Sequence, residues 1–317
     1  MISVVILNWN GKNDTLACLQ SLDNADYQQL KTYVVDNGST DNSIQAIQAQ
    51  FPNVELIETG ENLGFAGGNN VALRKILQTE TDYIFLLNND TVVRPDIFKS
   101  FVARAEKEPN SVWGGKLCLY DLPDTLDHLG GIWDEKHASF RLVGNREKSA
   151  LFSEPIEMDY ICGAALFAPK RVFEKVGLLE EKYFLVWEEA DWCTRAKRAG
   201  FKMLLCPEAT LFHKVSASFQ DRAHQSYFSF RNRLLFIERN FELKERCKYL
   251  FRIFTKEVSK NYKHYQIRLF TRRVGIALRR DKPERAEKIK KLRARLCAFR
   301  DYTLRRFGNC PNWLYKK

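Results

Sequence analysis

The sequence predicts an α/β fold, a mostly parallel sheet flanked by helices, and three observations predict it. Four short runs rich in β-branched and aromatic residues fall within the first 90 residues. Three stretches with apolar residues three and four apart separate them. Each strand-like run ends in polar or glycine-rich residues, where a parallel sheet meets its ligand.

The elements follow in order. SVVILN (3–8) reads as the first strand and NDTLACLQSL (13–22) as the helix that returns from it. LKTYVVD (30–36), NSIQAIQAQF (42–51), VELIE (54–58), NVALRKILQT (70–79) and YIFLLN (83–88) repeat the alternation. Strands in such a sheet are covered on both faces. From 109 to 213 the pattern loosens: VWGGKLCLY (112–120) and ALFAP (165–169) read as strands. PKRVFEKVG (169–177) and EEADWCTRAKRAG (188–200) read as helices stopped by Gly177 and Gly200. FKMLLCP (201–207) leads into a strand ending at His213. Beyond residue 220 the chain turns to long basic, helix-forming stretches, giving a domain at 1–220 and a helical region at 221–317.

At 317 residues, 45% hydrophobic and 28% charged, the chain can bury a full core. No apolar run approaches the roughly 18 to 20 residues that span a bilayer. The opening MISVVILNWN has no leader pattern, so a cytoplasmic protein is expected. Eight cysteines without close pairs read as free thiols in a reducing compartment. The net charge of +11 divides into −9 over residues 1–213 and +20 over 214–317. Such a tail suits an anionic partner, nucleic acid or an acidic membrane surface.

Four tips converge on one sheet edge: Asn8, Trp9, Asn10 and Gly11; DNGSTDNS (36–43); GENLGFAGGNN (60–70); and Asn88, Asn89 and Asp90. DNGSTDNS can serve as a turn and helix cap. Its Asp36, closing an apolar strand, can equally accept hydrogen bonds from a base or ribose. NLGFAGGNN lacks the P-loop lysine, yet Gly64, Gly67 and Gly68 would let backbone approach a ligand ahead of a helix N-terminus that favours phosphate. Asp90 can offer a carboxylate to a hard divalent ion that keeps positions open for phosphate oxygens, or simply form a turn. Glu188, Glu189 and Asp191 open a helix with Arg195 one turn on, which fits dipole complementation or a general base. His213 alone is a packed residue or a ligand.

In order and spacing, VVILNWNG, VVDNGSTDNS, NLGFAGGNN, LLNNDTVV, GAALFAPKRVFEKVGLLEEKYF, EEADWCTRAKRAG and LFHKVSAS resemble glycosyltransferase family 2 over about residues 2–235. YFSFRNRLLF (227–236) is similar to its rhamnosyltransferase-like branch. The resemblance implies the GT-A fold. It implies that Asp36, with Asn37 and Gly38, reads the base, and that Asn8 and Asn10 lie near the nucleotide. Asn62, Gly64, Phe65, Gly68, Asn69 and Asn89 would line ribose and diphosphate. Asp90 would hold Mg²⁺ or Mn²⁺ as the last member of a DXD-type motif, His213 adding a metal or phosphate contact. Glu189 would be the base, with Glu188 and Asp191 as alternatives.

Two departures stand out: only one carboxylate remains in Asn88-Asn89-Asp90, and Glu188-Glu189 replaces the usual Glu-Asp. The expected activity is inverting transfer of rhamnose or another hexose from a dTDP- or UDP-sugar to a glycan or lipid-linked acceptor in cell-surface polysaccharide synthesis. A non-catalytic nucleotide-sugar or carbohydrate-binding protein is the alternative. RNRLLFIERNF, KYLFRIFTKEV and IRLFTRRVGIALRR mix aromatic and basic residues as interfacial helices do, suggesting peripheral attachment to the inner face of the cell membrane. Nucleic acid is not expected, because it leaves the strand-end acids without a use.

Overall fold

Strand β1 (Ile2–Asn8) lies inside the sheet with parallel neighbours on both sides, which is why its residues, the hydrogen-bonded Ser3 excepted, are apolar up to the terminal asparagine. The structure, a computed structural model, describes residues 1–215, 221–277 and 283–315. The chain divides into two compact units, Met1–Glu181 with Glu188–Ser216 and Lys182–Trp187 with Ala217–Lys317. The end of LFHKVSAS and the last three residues of IRLFTRRVGIALRR lie outside the described residues.

The first unit continues with α1 (Lys12–Asp23), β2 (Leu30–Asp36), α2 (Ser43–Gln50), β3 (Glu55–Glu58), α3 (Gly64–Ile76), β4 (Tyr83–Asn88), β5 (Thr91–Val93) and α4 (Ile97–Lys107). Then come β6 (Ser111–Leu119), β7 (Leu122–Leu126), β8 (Gly130–Asp134), β9 (Ser139–Val143), β10 (Tyr160–Ile161), β11 (Ala165–Pro169), α5 (Lys170–Val176), α6 (Glu188–Arg198) and β12 (Lys202–His213). The main sheet runs β3-β2-β1-β4-β11-β6-β12-β5 with β7 on β6, and β10-β8-β9 form a small second sheet. From β3 to β4 the pairing is parallel; β11 then runs antiparallel to both β4 and β6. The chain moves outward from β1 to β3 and returns to the other side of β1 as β4. That reversal leaves a crevice beyond the carboxyl ends of β1 and β4.

Helix α4 closes the sheet below that crevice. Its Ile97, Phe98, Phe101 and Ala105 are buried. Phe101 stacks on Phe167 of β11 with ring centroids 4.7 Å apart, and Phe85 of β4 meets Phe98 edge-on at 5.9 Å. Gly177 and Gly200 stop α5 and α6 with φ of +83° and +92°, as the sequence predicts.

Helix α3 departs from the prediction. It starts at Gly64, six residues before the expected NVALRKILQT, and takes the glycines inside. A Cβ on Gly68 would stand 2.3 Å from Leu7 Cδ1 of β1. Gly68 is therefore small to let helix and strand approach.

The second unit is helical: α7 (Arg222–Asn240), α8 (Leu243–Ile253), a π-helical turn (Phe254–Val258), α9 (Ser259–Ala277) and α10 (Pro283–Thr303). Asp221 caps α7, its carboxylate accepting from the N–H groups of Ala223 and His224. Ala294 and Ala298 of α10 are fully buried, and Tyr227 of α7 donates to Asp301 at 2.8 Å. In α7, Phe228, Phe230, Leu234, Leu235, Phe236 and Ile237 are buried, so RNRLLFIERNF is core and not an interfacial face. Among the described residues no helix is long and apolar enough to cross a membrane.

Candidate active site

The parallel register sets the first contacts. Asn8 is the partner of Asp36 across β1 and β2, and Leu7 is the partner of Asn88 across β1 and β4. Asn8 and Asp36 are buried, and Asn8 Nδ2 donates to Asp36 Oδ2 at 2.8 Å. The backbone N–H of Ser39 donates to Asp36 Oδ1 at 2.9 Å. The carboxylate is thus fixed at the rim before any ligand arrives.

Several residues expected at the nucleotide hold the loops to one another. Asn10, left-handed at φ +53°, accepts from the Thr40 N–H at 2.7 Å. Asn37 donates to Asn62 Oδ1 at 3.1 Å and accepts from the Leu63 N–H at 2.9 Å, while Asn62 accepts from the Gly64 N–H at 2.8 Å. Gly38 has φ +76°, and a Cβ there would stand 2.8 Å from the Glu61 backbone, so only glycine lets these loops touch. Asn89 donates to Thr15 at 2.9 Å, joining the fourth tip to α1. Asn69 turns back to the Phe65 carbonyl at 2.9 Å.

Asp90, half a turn on, is buried and leads into β5, whose Thr91 is the register partner of His213. His213 Nε2 lies 3.1 Å from Asp90 Oδ1, and its Nδ1 lies 3.0 Å from Asp127 Oδ2. Asp127 also meets His128 at 3.5 Å. Burial alone would raise the Asp127 carboxyl; hydrogen bonds from His128 and His213 outweigh it and hold the group well below the usual carboxylate range. Burial likewise opposes charge on His213, but its bonds to Asp127 and Asp90 push it up to about 10. Two carboxylates on one imidazole mark a spot that favours positive charge.

The acids of α6 separate by partner. Asp191 accepts from Arg195 Nε at 3.0 Å, and Arg195 also donates to the carbonyls of Val176 and Leu178 at 2.6 and 2.7 Å. Asp191 therefore belongs to a brace between α6 and the end of α5. Glu188 is buried and Glu189 half-buried. The Asn88 N–H donates to the Ala164 carbonyl at 3.1 Å, which sets the turn before β11 beside the fourth tip. A Cβ on the adjoining Gly163 would meet Glu189 Cβ at 3.4 Å and Phe65 Cζ at 3.6 Å. Glu189 and the start of α3 thus share the edge that carries Asn88 and Asp90.

In the second unit, Asn232 donates to the carbonyls of Tyr183, Leu185 and Val186, each at 2.8 Å. Arg231, fully buried, donates to the Tyr183 and Gly308 carbonyls at 2.9 and 2.7 Å. The segment they hold is strained: Phe184, Val186 and Trp187 have φ of +65°, +61° and +80°. A branched residue such as Val186 is costly there, on the order of 1–3 kcal/mol.

A family model described as "Glycosyl transferase family 2" matches residues 3–177, more than half of the chain. The chain belongs to glycosyltransferase family 2. It is 25% identical over 229 residues to the N-acetylglucosaminyl-diphospho-decaprenol L-rhamnosyltransferase of Mycobacterium tuberculosis, covering 65% of this chain and 73% of that one. It is 25% identical over 241 residues to the rhamnosyltransferase WbbL of Escherichia coli K12, covering 72% and 87%. The mannosyltransferase PcManGT of Pyrobaculum calidifontis, solved with GDP-Man and Mn²⁺, superposes with a TM-score of 0.57 at 13% identity over 95% of this chain and 86% of that one. The fold is GT-A, and the protein is a glycosyltransferase.

The donor set fits a divalent ion of this glycosyltransferase in part. Among the described residues no three His, Cys, Asp or Glu side chains converge on one metal position. Asp90 and His213 could offer two donors, oxygen and nitrogen, and an ion held there would complete its shell with phosphate oxygens and water. Asp127, on the far nitrogen of His213, would then be the outer carboxylate that orients such a ligand. Sequence reasoning missed Asp127 because LDHLGG carries no periodicity; an Asp-His pair just after a strand is the only signal it gives.

Proposed function

We propose that the chain is an inverting, metal-dependent glycosyltransferase. It moves rhamnose or another hexose from a dTDP- or UDP-sugar to a hydroxyl of a glycan or lipid-linked acceptor in cell-surface polysaccharide synthesis, on the inner face of the cell membrane. The observation that carries this reading is that Asp36, the Asp90–His213 pair and Glu189 lie along the carboxyl edge of one sheet. Transfer chemistry is assigned to residues 1–220, and approach to the acceptor's membrane to 221–317.

Asp36 would receive the base or ribose, its orientation set by Asn8 and Ser39. Asp90 and His213 would hold the ion, which when bound offsets charge on the diphosphate leaving group. Glu189 takes the proton from the acceptor hydroxyl, whose oxygen attacks the anomeric carbon from the face opposite the diphosphate. The bond to the diphosphate oxygen breaks and its electron pair leaves on that oxygen. No covalent enzyme intermediate forms.

Incubating the chain with dTDP- and UDP-sugars, Mn²⁺ and a soluble glycoside tests this. Nucleoside diphosphate release, an inverted anomeric signal by proton NMR and loss of transfer in EDTA are expected. Retained configuration, or full transfer in EDTA, overturns the mechanism.

A further inference from the structure

The helix from Leu243 to Ala277 runs without interruption through α8, the π-turn and α9, about 50 Å at 1.5 Å per residue. Its inner side is anchored, with Tyr249, Ile253, Val258 and Asn261 buried. Its outer side carries large apolar residues: Leu243, Phe251, Phe254, Tyr262 and Phe270 are each between 50% and 70% exposed. Single exposed apolar residues are ordinary, but five on one helix are not.

Their phase makes them one stripe. Phe254 stands three turns after Leu243, and Phe251 sits on the adjoining turn. Tyr262 follows Phe254 by eight residues, which in a straight α-helix would rotate it by about 80°. The π-turn absorbs roughly one residue and brings Tyr262 back into line. Phe270 then falls within the stripe's width of about 100°.

Cations flank it. Lys244, Lys248, Lys256, Lys260 and Lys263 are exposed on the same helix, and α9 contains no acid. Glu257, in the π-turn, is paired with Arg233 and Arg295.

We propose that this stripe docks on an anionic lipid surface, with the aromatic residues at the acyl boundary and the lysines among the headgroup phosphates. Charge decides the occupant: a second copy would set the same lysine row against its own, and nucleic acid would leave five apolar side chains in water. The inference deepens the reading of a lipid-linked acceptor and gives that acceptor's membrane a contact face. KYLFRIFTKEV lies on this face; RNRLLFIERNF does not.

The test uses the full chain and vesicles of phosphatidylglycerol with phosphatidylethanolamine, against phosphatidylcholine alone. One variant carries Phe251→Ser, Phe254→Ser and Phe270→Ser; another carries Lys244→Gln, Lys248→Gln, Lys260→Gln and Lys263→Gln. All seven side chains are exposed, so both variants should fold, and circular dichroism verifies it. Wild type should sediment with the anionic vesicles and not the neutral ones, and each variant should partition roughly tenfold or more weakly. Transfer to a soluble acceptor, measured in parallel, should be unchanged, which separates failure here from failure of the catalytic reading. Wild type left in the supernatant, or variants that sediment as wild type does, overturns the proposal. So does a concentration-dependent dimer that the serine variant dissolves while vesicles bind nothing.

Discussion

Asp127 holds His213: the ring's Nδ1 lies 3.0 Å from the carboxylate while its Nε2 faces Asp90 Oδ1 at 3.1 Å. With Nδ1 donating to Asp127, the ring is fixed in one orientation and Nε2 is the nitrogen that faces Asp90. On the proposed reading, the single carboxylate of Asn88-Asn89-Asp90 would have a preset histidine of β12 beside it as a second donor.

Asp127→Asn should weaken Mn²⁺ binding by roughly 10- to 100-fold, since the amide can present its N–H to the ring and favour the wrong tautomer. Isothermal titration of the chain with Mn²⁺ reads this without any turnover. Unchanged affinity would show that Asp127 braces the fold and not the ligand.

The acids of α6 should part company on mutation. Glu189→Gln should abolish transfer while donor binding stays nearly intact, because the change removes only the proton acceptor. Asp191→Asn should instead lower stability by about 3 kcal/mol, weakening the brace through Arg195 while leaving residual chemistry. Donor titration beside urea denaturation distinguishes the two; loss of donor binding in Glu189→Gln falsifies its role.

What the sequence made legible was local. LKTYVVD and YIFLLN end where β2 and β4 end, because buried parallel strands are marked by their own apolar runs and polar tips. Contacts between distant residues were not legible. Asn10 and Asn37 also bridge loops about 30 residues apart in the chain, a pairing that only the register of β1, β2 and β3 creates. Glycines at 64, 67 and 68 look alike in a loop and in a tightly packed helix. Aromatic and basic residues in α7 and in α8 share one composition, and burial alone tells them apart.

Thiol reactivity should follow burial. Burial pushes Cys18, Cys193 and Cys206 up to about 12, so almost no thiolate exists on them near pH 8, and a reagent has no path to them. Cys247 is exposed. Brief alkylation of the native chain at pH 8, read by peptide mass spectrometry, should label Cys247 first and leave these three unmodified until denaturant is added. Early labelling of Cys193 would mean that α6 is not packed as described.

The strained segment ahead of α6 should depend on Asn232. Three left-handed residues, Phe184, Val186 and Trp187, end one peptide bond before Glu188, and Asn232 steadies the segment through the carbonyls of Tyr183, Leu185 and Val186. Asn232→Asp replaces the donating amide with a carboxylate oxygen facing three carbonyl oxygens, so those three bonds are lost, while Arg231 Nε keeps its contact with the other oxygen. A loss on the order of 3 kcal/mol is expected by chemical denaturation. If the segment also sets the direction from which Glu188 and Glu189 enter the helix, transfer by the folded fraction should fall while the affinity for a nucleoside diphosphate holds, since Asp36 is fixed by Asn8 and Ser39 and by nothing in this segment. Equal losses of donor affinity and turnover would make Asn232 a stability residue alone.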